Sequence, residues 1–176
     1  DEQRRLGAAG IGVAHCPSSN LILASGIAPV VAMRAAGVKV GLGVDGSSSA
    51  DSASLWMEAR QAMLLAKLRG GAHAGTARMA LEMATLGGAG CLGREGEIGV
   101  LAAGAVADIA VWKLTGPSFA GALADPIEAW LRCGPVSAWH TIANGSFGAR
   151  DGEIPHPDPS HVLHSHARHA ARIQQL

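Results

Sequence analysis

The sequence predicts an α/β fold built on parallel strands. Three features carry that expectation. Two short apolar runs, Ile11-Gly12-Val13-Ala14-His15 and Val38 to Val44, bracket a helix-forming stretch from Ile27 to Ala36. Gly37 stops that stretch just before the second run, as glycine does at helix C-termini. The second run ends abruptly in Asp45, followed by Gly46 and three serines. A continuous apolar run reads as a buried parallel strand. Strands alternating with helices imply a parallel sheet or barrel. An acid at the C-terminal mouth of such a strand lies where α/β barrels keep their chemistry.

The remaining elements follow in order. Asp1 to Leu6 reads as a helix already in progress, ended by Gly7 and Gly10. A chain that opens inside an αβ unit is expected to be a fragment. In the helix from Ile27 to Ala36, Pro29 occupies the first turn, where its missing N–H is not needed. A long helix is predicted from Asp51 to Arg69, with Leu55, Met57, Ala59, Ala62, Met63, Ala66 and Leu68 as its apolar surface. Gly70 and Gly71 stop it. Thr76 starts another helix through Ala84, and Gly87, Gly88 and Gly90 weaken its continuation to Leu92.

The pattern changes after Gly93. Glu97 to Gly104 is a turn-rich connection, and Ala107 to Trp112 is a strand. Asp125 to Leu131 is a short helix with Pro126 at its first position. Val136 to Ile142 is a strand, and Asn144-Gly145 signals a hairpin turn. Ser146 to Ala149 and Glu153-Ile154 extend this β region, which reads as part of a small β domain over 94–155. The tail, 156–176, is punctuated by proline and then helical.

Composition excludes some functions. The chain has 176 residues, 48% of them apolar, enough for a sizeable core. Net charge is zero, which argues against nucleic acid or an anionic membrane held by bulk charge. Neither a bilayer-spanning run nor a basic-plus-apolar leader is read in the sequence. Cys16, Cys91 and Cys133 are odd in number, widely spaced and without a C-x-x-C pair. They read as reduced packing thiols of a cytoplasmic protein.

Few side chains could carry chemistry. Asp45 followed by Gly and Ser suits a turn or a helix cap. Its carboxylate must otherwise be satisfied by a metal, a cation or donor hydrogen bonds. His15 ends the earlier strand and reads either as a pocket donor or as a hydrogen-bonded structural histidine. Ser18, Ser19 and Asn20 can donate to a bound ring or close a turn. Ser47, Ser48, Ser49 and Asp51 are expected to cap the long helix. Glu58 is read as part of a solvated helix face, and Trp112, Trp130 and Trp139 as packing of the β domain and its interface. His161, His164, His166 and His169 form i,i+3 pairs that a helix could offer to zinc, or else lie on a solvated helix.

Three ordered motifs carry a resemblance. Ala14-His15-Cys16-Pro17-Ser18-Ser19-Asn20, then Gly26-Ile27-Ala28-Pro29-Val30, then Gly41-Leu42-Gly43-Val44-Asp45-Gly46 resemble the end of an amidohydrolase-superfamily barrel. The branch is that of the cytosine, guanine and adenosine-type deaminases and the s-triazine hydrolases. Ile98-Gly99-Val100-Leu101, Gly104 and Ala107-Asp108-Ile109 resemble the return to that family's β-sandwich. Asp125-Pro126-Ile127 with Cys133-Gly134-Pro135 is most similar to bacterial 8-oxoguanine deaminases. Ala50 departs from the asparagine often found after the serine run.

The resemblance implies the last two αβ units of a (β/α)8 barrel over 1–93, followed by part of a β-sandwich. It implies a metal-dependent hydrolase that deaminates a purine-type heterocycle, 8-oxoguanine preferred. The alternatives are an s-triazine or other N-heterocycle hydrolase, or a non-catalytic remnant or subunit module. Asp45 matches the residue that ligates the divalent metal, zinc or else iron, and exchanges protons with its water. His15, Ser18 and Asn20 are implied to bind substrate. The parent is expected to be cytoplasmic, with a homo-oligomer possible. The family's H-x-H pair and its further histidine and glutamate residues have no counterpart here. The one H-x-H, His164-Ser165-His166, lies in the tail. The chain alone is therefore expected neither to hold the metal tightly nor to turn over.

Overall fold

The structure is a computed structural model that describes residues 2–50 and 52–175. The chain divides into two compact units, one made of 2–107 with 114–136, the other of 108–113 with 137–175.

The first unit opens with α1 (Glu2–Ala8), β1 (Gly12–His15), α2 (Pro17–Ile22), α3 (Val30–Ala35) and β2 (Lys39–Leu42). β1 and β2 pair in parallel, Gly12 opposite Lys39 and His15 opposite Leu42. α4 (Leu55–Gly70) follows, then α5 (Ala77–Glu82), a π-helical turn (Met83–Gly87) and α6 (Gly88–Cys91). The expected continuation of the α5 helix toward Leu92 thus exists, with the π turn taking up the break. α7 (Pro126–Arg132) also belongs to this unit. Its N-cap, Asp125, accepts from the Ile127 and Glu128 amides.

Val30, Met33, Val38, Val40, Ala62, Ala66 and Met83 form the core. Leu6, Val13, Ala28, Leu42 and Met79 pack against it. The two parallel strands and their helices form an open part of a barrel, as the strand–helix alternation predicts; no closed barrel exists among the described residues.

Several local expectations are corrected. Residues 17–22 form α2 in place of the expected turn, because Pro17 sits ready at a first helical position. Pro29 is the N-cap of α3, so that helix starts later than its apolar pattern implies. α4 is capped by Ser54, whose hydroxyl accepts from the Met57 amide at 3.4 Å. Ser47 to Ser49 form a turn instead, and Asp51 lies outside the described residues. Leu55, Met57 and Leu68 are exposed; the small Ala59, Ala62 and Ala66 are buried with Met63 and, against expectation, Glu58. Trp130 is buried on α7, edge-on to Trp56 at 6.4 Å, and so packs in the first unit and not in the β domain.

The second unit is a three-stranded antiparallel sheet in the order β3 (Ile109–Trp112), β4 (Ala138–Ala143), β5 (Ser146–Ala149). Asn144 and Gly145 both take positive φ, 47° and 76°, as the two-residue hairpin turn requires. Asp108 accepts from the Asn144 amide at 2.8 Å, which ties the turn to the start of β3. α8 (Pro159–Ile173) buries none of its residues. Among the described residues no helix is long and apolar enough to cross a membrane.

The helix containing the π turn lies very close to β2. A Cβ on Gly87 would sit 2.1 Å from the Val40 carbonyl oxygen, whereas a Cβ on Gly88 meets nothing within 4 Å. Gly88 has helical φ and ψ, −59° and −45°. Gly87→Ala is therefore expected to destabilise by about 1–3 kcal/mol or more, through forced displacement of the strand backbone. Gly88→Ala should instead stabilise by about 0.5–1 kcal/mol, through helix propensity. Urea-unfolding midpoints of the two variants check the opposite signs.

Candidate functional site

Parallel pairing brings the C-terminal ends of β1 and β2 to one side of the sheet. His15 is the last residue of β1, and Asp45 follows three residues after Leu42 closes β2. The Gly43 amide donates to the His15 carbonyl at 3.0 Å, carrying the ladder one step past β2. A Cβ on Gly43 would press on the Cys16 sulfur at 3.1 Å, so the chain passes close to the β1–α2 corner here.

Asp45 then turns the chain with a φ of 62°, a left-handed conformation that Asp tolerates better than most residues. The turn aims its carboxylate back toward α2. The Ser19 hydroxyl donates to Oδ2 at 2.7 Å, and the Ser49 hydroxyl donates to the same oxygen at 3.2 Å. The Gly46 amide donates to Oδ1 at 2.8 Å. The Ser19 bond, then the Gly46 and Ser49 bonds, hold the Asp45 carboxyl below the usual carboxylate range. A carboxylate has about four acceptor sites, so these three donors leave capacity for a further partner. The side chain stands exposed at the strand mouth.

The other sequence-predicted residues are placed differently from one another. His15 is buried, and burial lowers its pKa below the ordinary 6.5, which favours the neutral imidazole. Ser18 faces α4: its amide donates to Glu58 Oε2 at 2.9 Å and its hydroxyl to Gln61 Oε1 at 3.4 Å. Ser19, the neighbour, is the serine brought to Asp45. Asn20 is half-buried on α2, and its carbonyl accepts from the Ser25 amide at 3.0 Å. The Cys16 thiol is pushed up by burial first and then by the negative charges of Asp45 and Glu58. It is therefore kept a thiol, not a thiolate nucleophile.

Two participants lie outside what the sequence predicts for the site. Ser49, expected as a helix cap, is a donor to Asp45. Glu58, expected on a solvated face, is 1% exposed. The sequence does hold a signal for Glu58: it lies four residues before Ala62 and eight before Ala66, on the buried stripe of α4.

The donor set can be tested against a metal. Asp45 offers a hard, ionised oxygen ligand of the kind that zinc accepts. A catalytic zinc site takes three protein ligands. Among the described residues, no three His, Cys, Asp or Glu side chains gather, in the tail helix or elsewhere. The described residues thus offer no set of ligands that closes a zinc site by itself.

Known proteins share this arrangement of sequence and fold. Residues 2–150 match the sequence profile described as the amidohydrolase family. The 8-oxoguanine deaminase of Pseudomonas aeruginosa is 46% identical over 176 residues, covering 100% of this chain and 38% of that protein. The 5-methylthioadenosine/S-adenosylhomocysteine deaminase of Desulforudis audaxviator is 40% identical over 93% of this chain and 38% of that protein. The crystal structure of an adenosine deaminase from Xanthomonas campestris with bound zinc superposes with a TM-score of 0.90 at 28% identity. That match covers 99% of this chain and 40% of that structure. The chain thus spans about two fifths of the length of the relatives it matches.

The three donors make a testable electrostatic statement about Asp45. Its carboxyl is lowered in the folded state, so the associated stability is present at neutral pH and is lost as pH falls through the lowered value. Ser19→Ala should move the Asp45 titration up toward the ordinary carboxylate range, and Ser49→Ala should move it up less. Carboxyl-carbon NMR titration of the three proteins checks both the direction and the order.

Proposed function

From the premise that this chain belongs to the amidohydrolase family, we propose that it carries the Asp45 end of a metal-dependent aminohydrolase site. The substrate is a purine-type heterocycle with a ring C–NH2 group, 8-oxoguanine preferred. The observation that carries this reading is the Asp45 carboxylate, held ionised by three donors at the shared end of two parallel strands.

Asp45 would be one ligand of a divalent metal. Zinc is favoured because it is the metal bound in the related adenosine deaminase structure. The remaining ligands would have to come from sequence that the relatives contain and this chain does not span. The metal, when bound, supplies a water of lowered pKa. Asp45, ionised at the strand mouth, would take that water's proton as the oxygen attacks the ring carbon and would pass it to the departing amine, which leaves as ammonia. Ser19 and Ser49 hold the carboxylate in one orientation during both transfers. A neutral His15 at the same strand end can donate to or accept from the substrate ring through its imidazole. Asn20, one residue beyond Ser19, would offer its side-chain amide to the same substrate. Both Ser18 donors point to α4, so Ser18 supports the site from behind.

In the protein expressed from its native gene, Asp45→Asn should reduce ammonia release from 8-oxoguanine by roughly 100-fold to 10,000-fold. Asn keeps the shape and removes the charge needed by both roles, so the unfolding midpoint should change little. Chelation should abolish the activity and zinc should restore it. Retained activity in Asp45→Asn would overturn the assignment of Asp45. Faster turnover of 5-methylthioadenosine than of 8-oxoguanine would overturn the substrate preference.

A further inference from the structure

The most buried ionisable side chain next to the site is one that the reaction does not use. Glu58 lies in the first turn of α4, 1% exposed, in a stripe otherwise made of Ala59, Ala62, Met63 and Ala66. A carboxylate is rarely placed there without a partner, because an unpaired buried charge is costly. Its partner is the Ser18 amide, at 2.9 Å. That amide is at the second position of α2, among the donors that a helix N-terminus leaves without intrahelical acceptors. Cys16, the N-cap of α2, makes no side-chain capping bond. Glu58 therefore does from another helix what a capping side chain does locally. Gln61, three residues on, receives the Ser18 hydroxyl at 3.4 Å.

The next residue of α2 is Ser19, which is buried and donates the shortest of the bonds to Asp45. Fixing the Ser18 amide fixes the helix turn that aims the Ser19 hydroxyl. We propose that Glu58 is a positioning residue for the aminohydrolase reaction: it anchors the N-terminus of α2 so that Ser19 holds the Asp45 carboxylate in its reactive orientation. This rests on the proposed role of Asp45 and extends it to a residue that touches neither substrate nor metal.

Two near-isosteric variants separate reach from charge. Glu58→Gln keeps an oxygen acceptor at the same distance and removes the charge. Glu58→Asp keeps the charge and falls one methylene short of the Ser18 amide. If Glu58 positions α2, Glu58→Gln keeps kcat for ammonia release within threefold of the parent. Glu58→Asp then lowers kcat at least tenfold with KM within threefold. Adding Ser19→Ala to Glu58→Asp should cause no further loss, because the displaced helix no longer presents that hydroxyl. The reverse order, with Gln impaired and Asp active, would overturn the proposal in favour of a charge effect. Additive losses would also overturn it, as would unchanged kcat in both variants. Amide hydrogen exchange over residues 17–22 reads the anchor without any activity. Exchange should quicken in Glu58→Asp and not in Glu58→Gln. If the native protein releases no ammonia, the functional reading fails while the exchange still decides the anchor. Equal protection in the two variants would sink the anchor itself.

Discussion

Because β1 and β2 run parallel, the residues that follow both strands leave the sheet at the same end. An antiparallel pair would send them to opposite ends. That constraint brings the β1–α2 corner to within hydrogen-bonding distance of Asp45, 26 residues on from Ser19. The described hydrogen bonds to the Asp45 carboxylate all come from segments that this ladder delivers: α2 after β1, and the turn from Asp45 to Ser49 after β2. The helix α4 then closes over them from behind.

Small residues make the ladder compatible with its cover. A Cβ on Gly12 would lie 2.8 Å from the Cys91 Cα, and one on Gly41 would lie 2.9 Å from the Gly88 Cα. The short helix α6 thus rests directly on the backbones of both strands. On the other flank, α4 offers Ala59, Ala62 and Ala66 to the interior. Such close packing resists movement, since interiors at this density have no room for a shifted strand. A rigid sheet is what a site built from short hydrogen bonds needs, because small displacements of a reacting group are expensive in rate.

The two carboxylates of this region are treated in contrasting ways. Asp45 is exposed and held ionised by three donors, with acceptor capacity left over. Glu58 is buried, and its described partner is a backbone amide that also needs one. The first arrangement suits a group that exchanges ligands and protons. The second suits a group that stays put. Burial first, and then the charges of Asp45 and Glu58, push the Cys16 thiol up and keep its sulfur protonated.

Local chemistry made much of the fold legible in the sequence. Val38 to Val44 reads as a strand ending at Asp45 because the pattern is a run of apolar, partly β-branched residues. Thr76 and Asp125 read as helix starts because their side chains bond amides two or three residues ahead. Asn144-Gly145 reads as a hairpin because those residues accept positive φ. What the sequence left open depends on partners far along the chain. The acceptor of the Ser18 amide is 40 residues away, and the buried Trp130 packs edge-on to Trp56 on a distant helix. Which of three adjacent polar residues, Ser18, Ser19 or Asn20, reaches Asp45 is decided by the rotation of α2, which packs against α4 through the Ser18 bonds to Glu58 and Gln61. The sequence by itself determined where the strands, caps and turns lie, because those follow from bonds between near neighbours. Only the tertiary structure decided which side chains meet at the strand mouth, because one helix turn aims consecutive residues about a quarter-turn or more apart and the packing selects a single orientation.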